Sequence, residues 1–248
     1  MEVHRFDQVS KRNEMEVVST AESCFNGHAE HEASMNKPNR LIVGISGASG
    51  VAYGIRALEL LRELGVESHL VVTPAAHITR SQESSLSARE LENLADVSYS
   101  VSNIGAAIAS GSFKTLGMLI APCSVHTLSE LAYGNTGSLI TRAADVCLKE
   151  RRRVVLLFRE TPLHAGHLHS MLRVTDAGAV VMPPVPAFYT NPVLLDDVVT
   201  QTIARALDLF GLDAVVPRWT GLRPAGQHLC VPSAEVAEVV DTSLTGRG

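Results

Sequence analysis

Three short segments carry charged or hydroxyl side chains that are placed to contact a ligand. Arg159 and Glu160 directly follow an apolar run, and Tyr189 lies in a proline-bounded loop. An arginine and a carboxylate at the end of a strand are placed to touch a ligand, and the Arg159 charge beside Glu160 would hold that carboxyl in a defined protonation state. Spacings of three and four residues place four further charged side chains on one helical face: Arg142, Asp145, Lys149 and Arg152. That face has a second interpretation, a solvated surface with an internal salt bridge.

A glycine-rich turn is the other candidate for binding an anion. Residues 46–50 read Ser-Gly-Ala-Ser-Gly and lie between an apolar run and a stretch with helical spacing, which predicts a strand, a turn and a helix. Free N–H groups and the helix dipole favour phosphate at such a helix N-terminus. A tight turn that needs glycine would have the same sequence. Around this turn the glycine spacings of a dinucleotide fingerprint and of a hydrolase elbow are absent, as is the Walker pattern.

Composition disfavours several other kinds of function. The four cysteines form no C-x-x-C pair. His164, His167 and His169 have no carboxylate triad beside them, so we expect surface or packing histidines and no metal site. The formal charge of −5 argues against a general nucleic-acid binder. Because no stretch approaches the roughly 20 apolar residues that span a bilayer, we expect no membrane segment and a cytoplasmic location.

Short apolar runs alternate with helical patterns along most of the chain. Strands are predicted at residues 40–45, 67–72, 117–121, 154–158 and 179–182. Helices are predicted at residues 51–64, 75–83, 127–133, 139–150, 164–176 and 194–210. This alternation indicates a single doubly wound α/β domain, a mostly parallel sheet with helices on both faces. Ligands bind such sheets beyond the carboxyl ends of the strands.

The predicted domain covers residues 39–212. Residues 1–38 contain few large apolar groups and no sustained periodicity, so we expect a flexible extension there. Residues 213–248 contain the only tryptophan, Trp219, and then become polar. We therefore expect a C-terminal tail that is partly ordered around this tryptophan.

Six short motifs occur in order between about residues 40 and 220: Gly44-Ile-Ser-Gly-Ala-Ser-Gly50, Ala109-Ser-Gly-Ser-Phe113, Ala121-Pro-Cys-Ser124, the run from Arg142 to Arg152, Arg159-Glu-Thr-Pro162 and Pro186-Ala-Phe-Tyr189. Each motif is weak alone, but together they are specific. In these motifs and in their order along the chain, the protein resembles the UbiX/Pad flavin prenyltransferases. The resemblance implies a flavodoxin-like fold, usually assembled as a dodecamer, with FMN bound between subunits.

The resemblance also implies roles for individual residues. It implies FMN contacts from Gly47, Ala48, Ser49, Thr73, Ser124, Val125, His126, Thr127 and Arg159. It implies a prenyl-phosphate site made of Glu83, Lys149, Glu160, Tyr189 and Arg205, with Arg142 nearby and Trp219 beside the allyl group. The residues expected to take part in the chemistry are Ser49, Glu83, Lys149, Glu160 and Tyr189. Thr73 stands where the family commonly has serine, and His126 would alter the flavin contacts.

The activity implied by the resemblance joins a dimethylallyl group to N5 and C6 of reduced FMN. The donor is dimethylallyl monophosphate or, in some members, the diphosphate, and the product serves a UbiD-type decarboxylase. Many prenyl-transfer enzymes hold Mg²⁺ on aspartate-rich motifs, which this sequence lacks. We therefore expect metal-independent departure of the phosphate, assisted by the cations and by a proton from Glu160. Tyr189 and Trp219 would surround the allylic cation, and Ser49 would relay the flavin proton.

Two other functions remain open at this point. An FMN-dependent cysteine-type decarboxylase would share the fold superfamily, but it depends on a different His and Asn context. The joint presence of Lys149, Arg159, Glu160 and Tyr189 disfavours it. A non-catalytic flavin carrier for a decarboxylase is disfavoured by the intact set of charged residues.

Overall fold

The computed structural model describes residues 39–221 of the chain. The predicted extension, residues 1–38, and residues 222–248 of the predicted tail lie outside the described residues. The chain divides after Pro217 into two units. The second unit contributes residues 218–221, which include Trp219, to the described part.

Within residues 39–221, six strands form one sheet: β1 (Arg40–Ile45), β2 (Glu67–Val72), β3 (Val97–Tyr99), β4 (Gly117–Cys123), β5 (Arg153–Phe158) and β6 (Val180–Val181). Their order across the sheet is β3-β2-β1-β4-β5-β6, and every neighbouring pair is parallel. The five strands predicted from the sequence are confirmed. They are recognisable as apolar runs because strands buried on both faces carry few polar side chains.

Helices pack on both faces of this sheet: α1 (Val51–Glu63), α2 (Pro74–Glu83), α3 (Ala88–Glu92), α4 (Val125–Ala132), α5 (Leu139–Lys149), α6 (Ala165–Asp176) and α7 (Leu195–Asp208). Alternate residues of β1 point to opposite faces, so Val43 packs in a core with Leu61 of α1 and Leu207 of α7. Ile42 packs in the other core, with Ala143 of α5. Two apolar cores on one sheet confirm the predicted doubly wound α/β fold.

The strand order reverses between β1 and β4. The chain first builds β1, β2 and β3 toward one edge, then returns and builds β4, β5 and β6 toward the other. Ligand-binding crevices of open α/β sheets form at this kind of switch point. If the three-residue β3 is left out, the remaining strands have the order 2-1-3-4-5 of the flavodoxin-like sheet.

Strand β3 and helix α3 were not predicted from the sequence. β3 has only three residues, with Val97 and Tyr99 half-buried and Ser98 exposed. It lies at the edge of the sheet, and the Tyr99 hydroxyl is 3.0 Å from Nδ1 of the buried His69 on β2. A three-residue strand of this kind offers almost no periodic signal, because the alternation is established only over four to eight residues.

The prediction that Arg152 extends the charged face of α5 is wrong. The helix ends at Lys149, and Arg151 adopts a left-handed conformation with φ 57°. Two backbone hydrogen bonds then close the helix end and reverse the chain, as at many helix C-termini. The Arg152 guanidinium instead donates to the carbonyl oxygens of Gly111 and Phe113.

Candidate active site

A cleft of about 720 Å³ opens beyond the carboxyl ends of four neighbouring strands. It spans the switch point between β1 and β4 and extends over β2 and β5. The residues that line it directly after these strands are Gly47, Ala48 and Ser49 after β1, Thr73 and Pro74 after β2, Ser124, Val125, His126 and Thr127 after β4, and Arg159 and Glu160 after β5. Val101 and Ile140 add apolar surface.

The Ser46 side chain joins the two sides of the cleft floor. Only 1% of this residue is exposed. Its hydroxyl donates to the carbonyl oxygen of Pro122 at 2.9 Å and accepts the N–H of Ser124 at 2.8 Å. The loop after β1 is therefore bonded to the loop after β4 across the switch point. Ser46 lies inside the motif that predicted the turn, but it was not among the predicted site residues.

Three helix N-termini meet at this cleft. The Thr73 hydroxyl caps α2 by accepting the N–H of Ala76 at 3.2 Å. The Ser124 hydroxyl caps α4 by accepting the N–H of Thr127 at 3.3 Å. The first helix, α1, follows Gly50, which has no side chain to serve as a cap. Helix N-termini carry partial positive charge, so this end of the sheet favours an anion.

A carboxylate from the far end of α2 caps α1. Glu83 Oε2 accepts the N–H groups of Gly50 at 2.7 Å and Val51 at 3.0 Å. Burial acts to raise the pKa of Glu83, but hydrogen bonds from Ser49, Gly50 and Val51 and the charge of Arg159 together lower it. Two N–H groups in the first turn of α1 therefore bind the Glu83 carboxylate of the same chain, where the sequence led us to expect a phosphate or a simple tight turn.

Gly47 allows the loop after β1 to approach the start of α2. A β-carbon at position 47 would press against the methyl group of Ala75 and lie 3.2 Å from its carbonyl carbon. Real side chains rarely tolerate such a distance to backbone, so any larger residue would separate the loop from α2. Glycine at this position thus fixes the width of the cleft beside Thr73.

On the opposite wall, Arg159 provides a cation. Its N–H donates to the carbonyl oxygen of Cys123 at 3.0 Å, which extends the pairing of β4 and β5 beyond their ends. Within residues 39–221 its guanidinium forms no salt bridge, although its charge lowers the pKa of Glu83. The neighbouring Glu160 carboxylate accepts the N–H of Thr161 at 2.9 Å. An exposed cation and a half-buried carboxyl group therefore lie side by side at the cleft.

The structure brings together all nine residues predicted to contact a flavin, and it adds Glu160. Five residues predicted for the prenyl-phosphate site are not among the residues that line this cleft: Glu83, Arg142, Lys149, Tyr189 and Arg205. Three of them are cations on α5 and α7, namely Arg142, Lys149 and Arg205. Each of these forms a salt bridge with a carboxylate one or three residues further along: Asp145 at 3.0 Å, Glu150 at 2.5 Å and Asp208.

Of the two predicted aromatic residues, Tyr189 also lies outside the lining of this cleft. Tyr189 belongs to a short 3₁₀ turn, Phe188–Thr190, and its hydroxyl is 3.5 Å from Nε2 of Gln201. Trp219 belongs to the second unit, after Pro217. The internal salt bridge predicted as an alternative for the charged helical face is present, between Arg142 and Asp145.

Metal-binding and thiol chemistry have no visible basis in the described part of the chain. Among residues 39–221 no group of three or more His, Cys, Asp and Glu side chains could hold a metal ion. Nδ1 of His164 accepts the N–H of Gly166 at 3.0 Å at the start of α6. Burial raises the pKa of Cys123 to about 12 and that of Cys147 to about 11, so neither thiol is a nucleophile. The described helices include none that is both long and apolar enough to cross a bilayer.

Comparison with known proteins agrees with the cleft and the fold. The Flavoprotein family model matches residues 28–205, which gives the general class. Flavin prenyltransferase UbiX of Neisseria meningitidis serogroup B is 55% identical over 184 residues, which cover 74% of this chain and 97% of that protein. The relationship is therefore specific as well as general: the chain belongs to the UbiX family of flavin prenyltransferases.

Solved structures support the same assignment. The crystal structure of AnUbiX in complex with FMN and dimethylallyl pyrophosphate matches with a TM-score of 0.73 at 45% identity, covering 74% of this chain and 98% of that one. A dodecameric FMN-dependent UbiX-like decarboxylase from Escherichia coli O157:H7 matches with a TM-score of 0.71 at 46% identity, covering 74% and 100%. The family and the flavodoxin-like fold predicted from the six motifs are confirmed.

Proposed function

We propose that this protein joins a dimethylallyl group from dimethylallyl phosphate to N5 and C6 of reduced FMN. One observation carries the proposal: four strand ends and three helix N-termini bring the nine predicted flavin contacts into a single cleft. The relatives named flavin prenyltransferase support the reaction.

The cleft fits FMN in size and chemistry. Its volume of about 720 Å³ is within the range of small-molecule sites. Val101, Val125 and Ile140 provide apolar surface for a planar ring, while Arg159 and the N-termini of α2 and α4 favour the anionic parts of the molecule. When bound and reduced, FMN supplies the nucleophilic ring atoms that the reaction needs.

The residues of the chain then have distinct tasks. Departure of phosphate from an allylic carbon leaves a cation and a phosphate, so it requires positive charge and a proton near the leaving oxygen. Lys149, Arg142 and Arg205 would stabilise the phosphate, and Glu160 would donate the proton. Ser49, whose hydroxyl is hydrogen-bonded to Glu83, would transfer a proton next to the flavin. No metal has a task in this scheme, so turnover should persist in excess chelator.

A second copy of the chain would complete this site. Arg142, Lys149 and Arg205 lie outside the lining of the cleft within one chain, and the related Escherichia coli protein is a dodecamer. We therefore propose a homo-oligomer, a dodecamer by family resemblance, in which one subunit supplies cations to the cleft of its neighbour. Co-expressed Arg159→Ala and Lys149→Ala variants should regain part of the activity that each homo-oligomer lacks. Mixed oligomers, verified by mass spectrometry, that stay as inactive as their parents would refute this arrangement.

The direct test uses the purified full chain, reduced FMN and either dimethylallyl monophosphate or the diphosphate. Mass spectrometry should detect FMN enlarged by one dimethylallyl group, and the rates with the two donors identify the substrate. A non-catalytic flavin carrier would bind FMN and form no adduct, which would contradict the proposal.

Decarboxylation is the second candidate, because the related dodecamer is described as a decarboxylase. A decarboxylase must stabilise the carbanion left when CO₂ departs, whereas Tyr189 and Trp219 would surround an allylic carbocation, which is the opposite charge demand. We propose that a separate UbiD-type enzyme receives the product. Purified protein alone should release no CO₂ from cinnamate-like acids, and its product should activate an inactive apo-decarboxylase. Catalytic CO₂ release without a partner would reverse this assignment.

The proposal also covers the limits of the catalytic domain and the compartment in which the protein acts. Residues 39–212 are proposed as the catalytic domain, since the cleft and the helices that surround it lie within these limits. The reaction is proposed to occur in the cytoplasm, where reduced flavin is available.

A further inference from the structure

The motif Ala109-Ser-Gly-Ser-Phe113 has no task in the scheme above. Its central residues, 110–112, follow a short 3₁₀ turn and lie against the end of α5 instead of in the cleft. Ser110 and Ser112 are exposed, and their hydroxyl oxygens are 2.9 Å apart. We call residues 110–112 the SGS segment.

Arg152 anchors the SGS segment to the turn that follows α5. Its guanidinium donates to the carbonyl oxygen of Phe113 at 2.7 Å and also to that of Gly111. Hydrogen bonds from a charged donor are among the strongest single polar contacts in proteins. The segment is therefore held beside the last residue of α5, Lys149, although about 40 residues separate them in sequence.

Gly111 lies directly against the salt bridge between Lys149 and Glu150. A β-carbon at position 111 would lie 2.8 Å from Cδ of Glu150 and 3.0 Å from Nζ of Lys149. Both atoms are at the ends of flexible side chains, so a methyl group would displace the pair and leave the backbone in place. The backbone of Gly111 is also not left-handed, so alanine fits its conformation. The absence of a β-carbon at position 111 therefore leaves room for the pair of Glu150 and Lys149 side chains where they lie.

We propose that the SGS segment, anchored by Arg152, positions the Lys149 ammonium group for the phosphate of the prenyl donor. Gly111 and Arg152 are positioning residues in this proposal, because they act through Lys149. The inference rests on the proposed function of Lys149, and its test therefore measures that function separately.

The first experiment compares Gly111→Ala with Gly105→Ala in the full chain. A β-carbon at Gly105, in the same long connection, would meet only Asn103 Oδ1 at 3.9 Å, which makes it a matched control. We expect Gly111→Ala to raise the KM for dimethylallyl monophosphate about tenfold, the effect of weakening one charge-assisted hydrogen bond. The Kd for FMN should stay within about twofold of wild type and the thermal midpoint within about one degree, as with Gly105→Ala. An unchanged KM would overturn the proposal.

A double-mutant cycle with Lys149→Met then separates positioning from a merely structural role. In the Lys149→Met background, Gly111→Ala should cause no further rise in KM. A further tenfold rise would mean that Gly111 acts independently of Lys149 and would overturn the inference while the role of Lys149 stands. If Lys149→Met itself leaves both KM and kcat unchanged, the proposed function of Lys149 fails and the inference fails with it. If it lowers kcat alone, the role of Lys149 in phosphate departure stands and the positioning inference is overturned.

Arg152→Lys gives an independent measurement. Lysine keeps the charge but cannot donate to both carbonyl oxygens in the forked geometry of a guanidinium. We expect a rise in KM for the prenyl donor that again disappears in the Lys149→Met background. Arg153→Gln is the control, because Arg153 is the exposed neighbour at the start of β5. A lowered thermal midpoint with an unchanged KM would show that Arg152 only stabilises the fold.

Discussion

Replacing Glu83 by glutamine tests how the start of α1 is held at the cleft. Glutamine keeps the size of the side chain and one acceptor oxygen but removes the charge. In the wild type that charge faces two backbone N–H groups, at 2.7 and 3.0 Å, at the positive end of α1. The Glu83 carboxylate also accepts a hydrogen bond from Ser49 and lies near Arg159.

The expected loss is about 1 kcal/mol of unfolding free energy at pH 7. Removing an N-terminal cap costs ~0.5–2 kcal/mol, and a charge at a helix terminus contributes ~0.3–1 kcal/mol. Glu83 is exposed, so solvent screening keeps the value in the lower part of the combined range. For a domain of this size about 1 kcal/mol lowers the thermal midpoint by about 2–4 °C.

The pH dependence has a defined sign. The folded state lowers the pKa of Glu83 below its ordinary value of 4.5, so its stabilisation is complete above that pH and is lost as the pH falls through the lowered folded value. Thermal unfolding at fixed protein concentration should therefore show a constant gap between wild type and Glu83→Gln near neutrality, which narrows in acid. Glu63→Gln, at the exposed C-terminal end of α1, should not destabilise the protein. A gap that widens in acid, or none at pH 7, would refute the capping role.

Three other changes test the cleft. Gly47→Ala should weaken FMN binding at least tenfold by calorimetry, because its β-carbon would press on the backbone of α2; unchanged affinity would mean that the loop yields freely. Ser46→Ala should lower the unfolding free energy in urea by about 1–3 kcal/mol, since it leaves the N–H of Ser124 without its buried acceptor. A loss below 0.5 kcal/mol would show that this link is not a stabilising one. Glu160→Gln should slow turnover by about 10²–10⁴ with little change in the Kd for FMN. Normal turnover would place the proton donor elsewhere.

The main architecture was predictable because each element had a clear local signal. Runs such as residues 154–158 are apolar throughout, and helices such as α5 bury one face, so alternation alone indicated a doubly wound sheet. The edge strand β3 was not predictable in this way. Its three residues depend on pairing with β2 and on the contact between Tyr99 and His69, which are tertiary interactions.

The proposed site has two parts, the cleft residues that follow the strands and the cations on helices α5 and α7. The sequence could locate the first part but not the second. Residues that follow parallel strands, such as Thr73 and Arg159, meet because all the carboxyl ends lie at one edge of the sheet. Lys149 and Arg205 lie on helix ends, and sequence spacing does not tell whether such residues meet a site in their own chain or in another copy. The capping role of Glu83 also escaped prediction, because it depends on how α2 packs beside α1.

The hydroxyl group of Ser46 makes the floor of the cleft a single preorganised surface. Its bonds to Pro122 and Ser124 tie together loops that belong to opposite halves of the sheet, and they exist before a ligand arrives. Binding to such a surface needs little ordering of the protein, so more of the contact free energy remains as affinity. For an enzyme proposed to release a modified flavin after every reaction, the exit rate would then depend on contacts made by the ligand and not on slow opening and closing of these two loops.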